Sequence, residues 1–343
     1  MYTNTSTSRR LWSIIYARCS VLTENLVLTK IFYMKLTILG SGTSHGVPVI
    51  ACNCKVCKSG DKKDNRLRAS ALLSIKDVSG DRNFLIDVGP DFREQALRIN
   101  LCKLDAVFLT HPHADHIHGI DDLRIFSHKN SSAMNCDERL SKKFPETAGK
   151  GLAMYMSSDS EKCVKTNFHY IFMTHEKGGG TPKLNIIDVD SYNEKNPLEL
   201  GELCVVPVPM EHGCIKTTGW IFSKKLNGKK HSIAYLTDCN FISENSLNRV
   251  KNACSGGILD HLVIDALRAD KHSSHNNFDQ ALFYADKIGA VHTWFTHLSH
   301  DFLHGEIQDY IDKKLPEFTN LQKIVENGGT VSPAFDGLEL DCK

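Results

Sequence analysis

The chain has 343 residues, 41% of them hydrophobic, and its 41 basic side chains stand against 40 acidic ones. It is long enough to bury a large core, and a balanced charge gives no overall attraction to nucleic acid. No apolar run approaches the roughly 18 to 20 residues that cross a bilayer, and twelve cysteines without a secretory leader read as reduced thiols and metal ligands, not as a disulfide framework.

Residues 1–33 carry Arg9, Arg10, Arg18 and Lys30 against one acid, Glu24, amid Ser and Thr, which is the composition of an organelle presequence. The other reading is a plain extension ahead of Met34. The expected location is accordingly cytoplasmic, or mitochondrial if the presequence reading holds. From Lys35 the pattern predicts strands at 36–39, 71–75, 83–87 and 104–109, with a helix over 92–99. Residues 128–182 are polar, irregular and Gly-rich, so they are expected to form an insertion or lid outside the core of a domain running from 34 to 343. Apolar strands follow at 204–208, 219–222, 232–236 and 261–264, and helices at 278–288 and 304–314. Two runs of strands, each followed by helices, fit an α/β, four-layer αββα sandwich.

The sharpest motif lies directly after the strand at 104–109, where His111, His113, Asp115 and His116 form an H-x-H-x-D-H pattern. Placed at a strand end, His111 and His113 can face one divalent cation while Asp115 and His116 face a second, the N/O set that zinc or manganese accepts.

This motif resembles that of the metallo-β-lactamase superfamily, over roughly residues 35 to 335. The resemblance implies that His212, Asp238 and His297, each just past a predicted strand, complete a two-metal site, with Asp238 bridging and Asp115 also orienting the attacking water. It also implies that Asp87 supports the site from behind. A closer likeness lies in the run from Leu39 to Pro48, in Cys52, Cys54 and Cys57, and in the run from Gly119 to Arg124. These are similar to the phosphonate-pathway cyclic-phosphate phosphodiesterase subfamily. The subfamily likeness implies that the three cysteines and His300 hold a structural zinc, a set that closes a tetrahedron and leaves no position for substrate. It further implies that His275 contacts the phosphate and protonates the leaving oxygen, although His275 could instead cap the helix near 278, or His272 take that part.

The function so implied is a metal-dependent hydrolase cleaving small or cyclic phosphate esters with two divalent cations, Zn or Mn, plus one structural Zn. The competing readings are a transfer-RNA 3′-end-processing type of endoribonuclease, a thioester or lactam hydrolase, and a scaffold without catalysis. A nucleic-acid substrate is not favoured, because residues 128–182 mix acids with their Lys and Gly and do not resemble a dedicated RNA arm. No membrane partner is expected, and a homodimer stays open as an assembly.

Overall fold

The computed structural model describes residues 33–78, 80–127, 151–173 and 180–342. The presequence expected in residues 1–33 lies, apart from Tyr33, outside the described residues. The first sheet is built from β1 (Tyr33–Gly40), β2 (Ser70–Asp77), β3 (Gly80–Ile86), β4 (Ala106–Phe108), β5 (Leu152–Met156) and β6 (Leu184–Asp188). The second takes β7 (Leu198–Leu200), β8 (Leu203–His212), β9 (Ile215–Leu226), β10 (Lys229–Leu236), β11 (Gly257–Asp265), β12 (His292–Thr296) and β13 (Thr330–Pro333), after which β14 (Glu339–Cys342) returns to the first. Their spatial orders are β14-β1-β2-β3-β4-β5-β6 and β13-β12-β11-β10-β9-β8-β7. In each sheet one side is antiparallel, and the other side, β3 to β6 or β10 to β13, is parallel.

The two-residue period of a strand explains the layers. On β4, Ala106 and Phe108 enter the core between the sheets, while Val107 beside them enters the outer core of the first sheet. On β10, Ile233 and Tyr235 point between the sheets, while Ala234 and Leu236 face the helices outside the second. Phe108 anchors the inner core, its ring 5.0 Å from Tyr155 and 4.9 Å from Trp220. Burying a side chain of that size contributes about 1.5 to 3 kcal/mol. Helices Glu244–Cys254, Phe278–Ile288 and His304–Lys314 cover the second sheet through Val250, Phe278 and Ile311, and helices Phe92–Arg98 and Ser158–Asn167 cover the first through Phe92 and Val164. The result is the expected four-layer sandwich.

One expectation is corrected. Residues 128–182 do not all stand outside the core, because β5 is wholly buried and hydrogen-bonded between β4 and β6. Its run Leu152 to Met156 is apolar on both faces, as a central parallel strand must be. Among the described residues, no helix is long and apolar enough to cross a membrane.

The parallel strands bring their carboxyl ends to one edge, where ligands of open α/β sheets bind. There the two sheets are joined by a 2.9 Å hydrogen bond from Thr218 N to the Thr110 carbonyl.

Candidate metal centre

Asp87 and each residue predicted for the two-metal site emerge at that edge. Asp87 follows β3, the H-x-H-x-D-H turn follows β4, His212 ends β8, Asp238 follows β10 and His297 follows β12. Asp87, Asp238 and His297 have φ of 60°, 54° and 60°. Such left-handed conformations are uncommon outside glycine and gather where function demands a particular aim.

The ring nitrogens of His111, His113 and His212 converge. His113 Nδ1 lies 2.9 Å from His111 Nε2 and 3.2 Å from His212 Nε2. The other nitrogen of His212, Nδ1, is 2.7 Å from the Ser274 carbonyl, so it carries the proton and leaves Nε2 free as a ligand. A second group gathers Asp115, His116, Asp238 and His297, with Asp238 Oδ1 3.0 Å from His297 Nε2 and 3.4 Å from His116 Nε2. Asp238 also lies with His212 and His275 in a third grouping, so its carboxylate stands between the first two.

The chemistry of these atoms fits divalent cations. His116 Nε2 and His297 Nε2 are buried beside Asp115 Oδ2 and Asp238 Oδ1 at 3.2 and 3.0 Å without a well-aligned hydrogen bond, an arrangement that fits nitrogens and carboxylates facing a common cation. Burial alone would lower His116, but the Asp238, Asp87 and Asp115 carboxylates overcome it and hold the imidazole well above its usual pKa. At His297 burial is likewise opposed, by Asp238 first, and the group rises to about 9. Burial would raise Asp238, yet His297 and His116 keep it well below the carboxylate range. Acids this concentrated call for positive charge, which a divalent cation would supply in place of protons. His111 lacks such a close acid and is driven well down, by burial first and then by His116, which suits a neutral nitrogen ligand. His113 is exposed and Asp115 partly so, and the centre opens to solvent on their side.

Behind the ligands, Asp87 Oδ2 takes His116 Nδ1 at 2.7 Å, while its Oδ1 and Oδ2 accept from Thr110 N and Oγ1 at 2.8 Å each. This is the supporting position expected of Asp87.

His275 lies beside the ligands, its ring 4.6 Å from His212 and stacked 4.4 Å from His297, and its Nδ1 is 2.9 Å from Asp265 Oδ2. It does not cap the following helix. That part falls to Asn277, whose side chain accepts from Gln280 N in a capping box. Sequence reasoning missed Asp265. The signal was available, because Asp265 ends an apolar strand just as Asp87, Asp238 and His297 follow theirs.

Cys52, Cys54, Cys57 and His300 also meet, with the three sulfurs 3.4, 3.5 and 3.5 Å from His300 Nδ1. The Cys57 backbone N–H lowers the Cys54 thiol to about 6, whereas burial raises Cys57 to about 11. Buried Arg66 grips the same loop from the other side, donating to the Ser299 carbonyl and, at 3.1 Å, to the Phe302 carbonyl.

Residues 82–298 match the family described as Beta-lactamase superfamily domain. An octanoyltransferase of Porphyromonas gingivalis is 33% identical over 299 residues, 86% of this chain and 52% of that protein, so the chain spans about half the length of this relative. The crystal structure of a diphosphatase from the PhnP family is 34% identical, with 90% of this chain and 97% of that one covered at a TM-score of 0.68. Zinc-bound PqqB from Methylobacterium extorquens shares the fold at 18% identity, a TM-score of 0.60 and coverage of 90% and 100%.

Proposed function

The chain belongs to the beta-lactamase superfamily of metal-dependent hydrolases, and from that premise we propose that it is a phosphodiesterase acting on small or cyclic phosphate esters. The observation that carries the reading is the pairing of His275 with Asp265 at 2.9 Å, directly beside both groups of ligand atoms. The likeness to the PhnP-family diphosphatase supports it. The octanoyltransferase's name belongs to a longer protein, of which the match covers 52%, and it supplies the acyl alternative.

His111, His113 and His212 would hold one divalent cation and Asp115, His116 and His297 a second, with Asp238 shared. Zinc and manganese both suit these donors. Such a pair supplies Lewis acidity to the phosphoryl oxygens and brings the pKa of a water nucleophile toward neutrality. The chain's own residues do the rest. Asp115, partly open to solvent, orients the attacking water. Asp265 fixes His275 through Nδ1, which leaves Nε2 to deliver a proton to the departing oxygen. Cys52, Cys54, Cys57 and His300 would hold a structural zinc that ties the loop at 52–57 to the loop following His297.

The test is metal content together with hydrolysis of bis-p-nitrophenyl phosphate and a 2′,3′-cyclic nucleotide, comparing the intact protein with an Asp115→Ala, His116→Ala double variant. Three metals per chain and turnover that the double variant abolishes are expected. Full occupancy without phosphodiester cleavage, but with hydrolysis of an octanoyl thioester, would replace this reading with an acyl one.

A further inference from the structure

The strip from Ser41 to Thr43 leaves the end of β1 and runs between the segment that enters β2 and the segment that leaves β12. On one side Gly42 N donates to the Leu67 carbonyl at 2.9 Å. On the other, Leu298 N donates to the Ser41 carbonyl at 2.9 Å, and Thr43 N donates to the Leu298 carbonyl at 3.2 Å. Both backbone polar groups of Leu298 are thus committed to the strip. Leu298 directly follows His297, whose φ of 60° is a conformation that persists only where the surroundings enforce it. The strip cannot slide away toward residues 66–68, because a Cβ on Gly42 would already lie 2.7 Å from the Arg66 carbonyl oxygen.

One carboxylate grips the strip and its neighbour together. Asp336 lies in the turn between β13 and β14, and its Oδ1 accepts from Ser41 N at 2.9 Å and from Ser41 Oγ at 2.8 Å. Its Oδ2 accepts from Leu67 N at 2.9 Å and from Arg98 Nη1 at 3.2 Å. The turn itself is tied to β1, since Gly337 N donates to the Ile38 carbonyl at 2.8 Å and Ile38 N to the Leu338 carbonyl at 2.9 Å. Four donors therefore converge on two buried oxygens, and two of them are backbone N–H groups that can only donate. An amide in place of the carboxylate would turn its own NH₂ against one of those two.

We propose that Asp336 is a positioning residue for His297. It sets the strip, the strip fixes Leu298, and Leu298 fixes the backbone from which the imidazole reaches the metal centre. Asp336 itself touches none of the ligand atoms. The inference rests on the reading of His297 as a ligand of the second cation.

Two measurements on the full chain separate this part from a merely structural one. Without metal, amide hydrogen exchange at Leu298 and Thr43, read by NMR, should be about tenfold faster in Asp336→Asn, the worth of about one hydrogen bond. With zinc bound, competition with a chelator should show one of the two cations at the active edge held about tenfold more weakly and the other unchanged, the low end of the range for groups that orient histidine ligands. Asp77→Asn is the comparison, because Asp77 is also buried in an ion pair, with Arg82, at the far end of β2. It should melt earlier and leave both readings as they are. Ser41→Ala removes the Oγ bond alone, should speed the same exchange about threefold, and stands in if Asp336→Asn does not fold.

Exchange at Leu298 and Thr43 no faster in Asp336→Asn or Ser41→Ala than in Asp77→Asn overturns the positioning. So does unchanged competition in protein that binds both cations. If the unaltered protein binds no cation at the active edge, the two-cation reading fails, and the exchange rates still decide whether Asp336 sets the backbone beside His297.

Discussion

His116 Nδ1 lies 2.7 Å from Asp87 Oδ2, and both side chains are withdrawn from solvent. The contact fixes which nitrogen of His116 is turned to Asp115 and Asp238, and Thr110 holds the same carboxylate through its backbone and hydroxyl. Asp87→Asn keeps the shape but weakens the acceptor. It is expected to lower metal affinity or turnover about 10- to 100-fold, the range found for outer partners of histidine ligands. Competition with a chelator, followed by metal analysis, checks this. Retention equal to the unaltered protein would mean that Asp87 only shapes the turn.

The cysteine cluster makes a separable prediction. The group of Cys52, Cys54, Cys57 and His300 is separate from the groups at the active edge, so Cys57→Ser should remove about one zinc per chain while the other metals stay bound. Stability should fall, because a structural zinc contributes folding energy directly. Turnover should fall less than about tenfold, since none of the four residues joins the catalytic groups. Metal analysis beside thermal unfolding decides it, and unchanged zinc content would remove this site.

Much of this arrangement was legible because the chemistry sits where apolar strands stop. The runs before His111, Asp238 and His297 are strongly patterned, and each of these residues lies within three positions of its strand's end. β5 was not legible. Its five apolar residues lie inside a polar, Gly-rich stretch, and a central strand buried on both faces has no alternation to reveal it. Nor could sequence show that Ser274 orients His212 through its carbonyl, because any residue offers that group. Asp265 was missed for a different reason. It stands alone at the end of β11, with no neighbouring metal-type residues in sequence to form a motif.

Acid sensitivity should come in part from His304. Burial, then Lys63 and Arg66, lower its pKa from 6.5 to about 4, and its Nδ1 has no hydrogen-bond partner. Between those two values the unfolded chain binds the proton more readily than the folded one. Stability therefore rises with pH across this window, its contribution being complete above the unfolded pKa and lost as pH falls toward 4. Chemical denaturation from pH 4 to 7 should show a shallower slope for His304→Gln than for the unaltered protein. Identical slopes would remove His304 as a source.

The closest backbone approach near the ligands is the most demanding. A Cβ on Gly119 would lie 2.1 Å from the Gly89 carbonyl oxygen, and one on Gly89 would lie 1.9 Å from that of Asp115. The strand end carrying Asp87 and the turn carrying His111, His113, Asp115 and His116 are thus in backbone contact, tied by hydrogen bonds from Val88 N to the His116 carbonyl and from Gly119 N to the Val88 carbonyl, each 2.8 Å. Gly119→Ala must push the two apart and lengthen the bond between His116 and Asp87. The expected cost is about 1 to 3 kcal/mol of stability, as for other overpacked sites, and about 100-fold in turnover, since a shift near 1 Å at a reacting centre has that effect. Gly305→Ala is the comparison, because a Cβ there meets nothing within 4 Å and helix His304–Lys314 gains a better helix former. It should leave turnover unchanged and hold or slightly raise the melting temperature. If the two substitutions behave alike, the contact between the turns does not set the geometry of the metal centre.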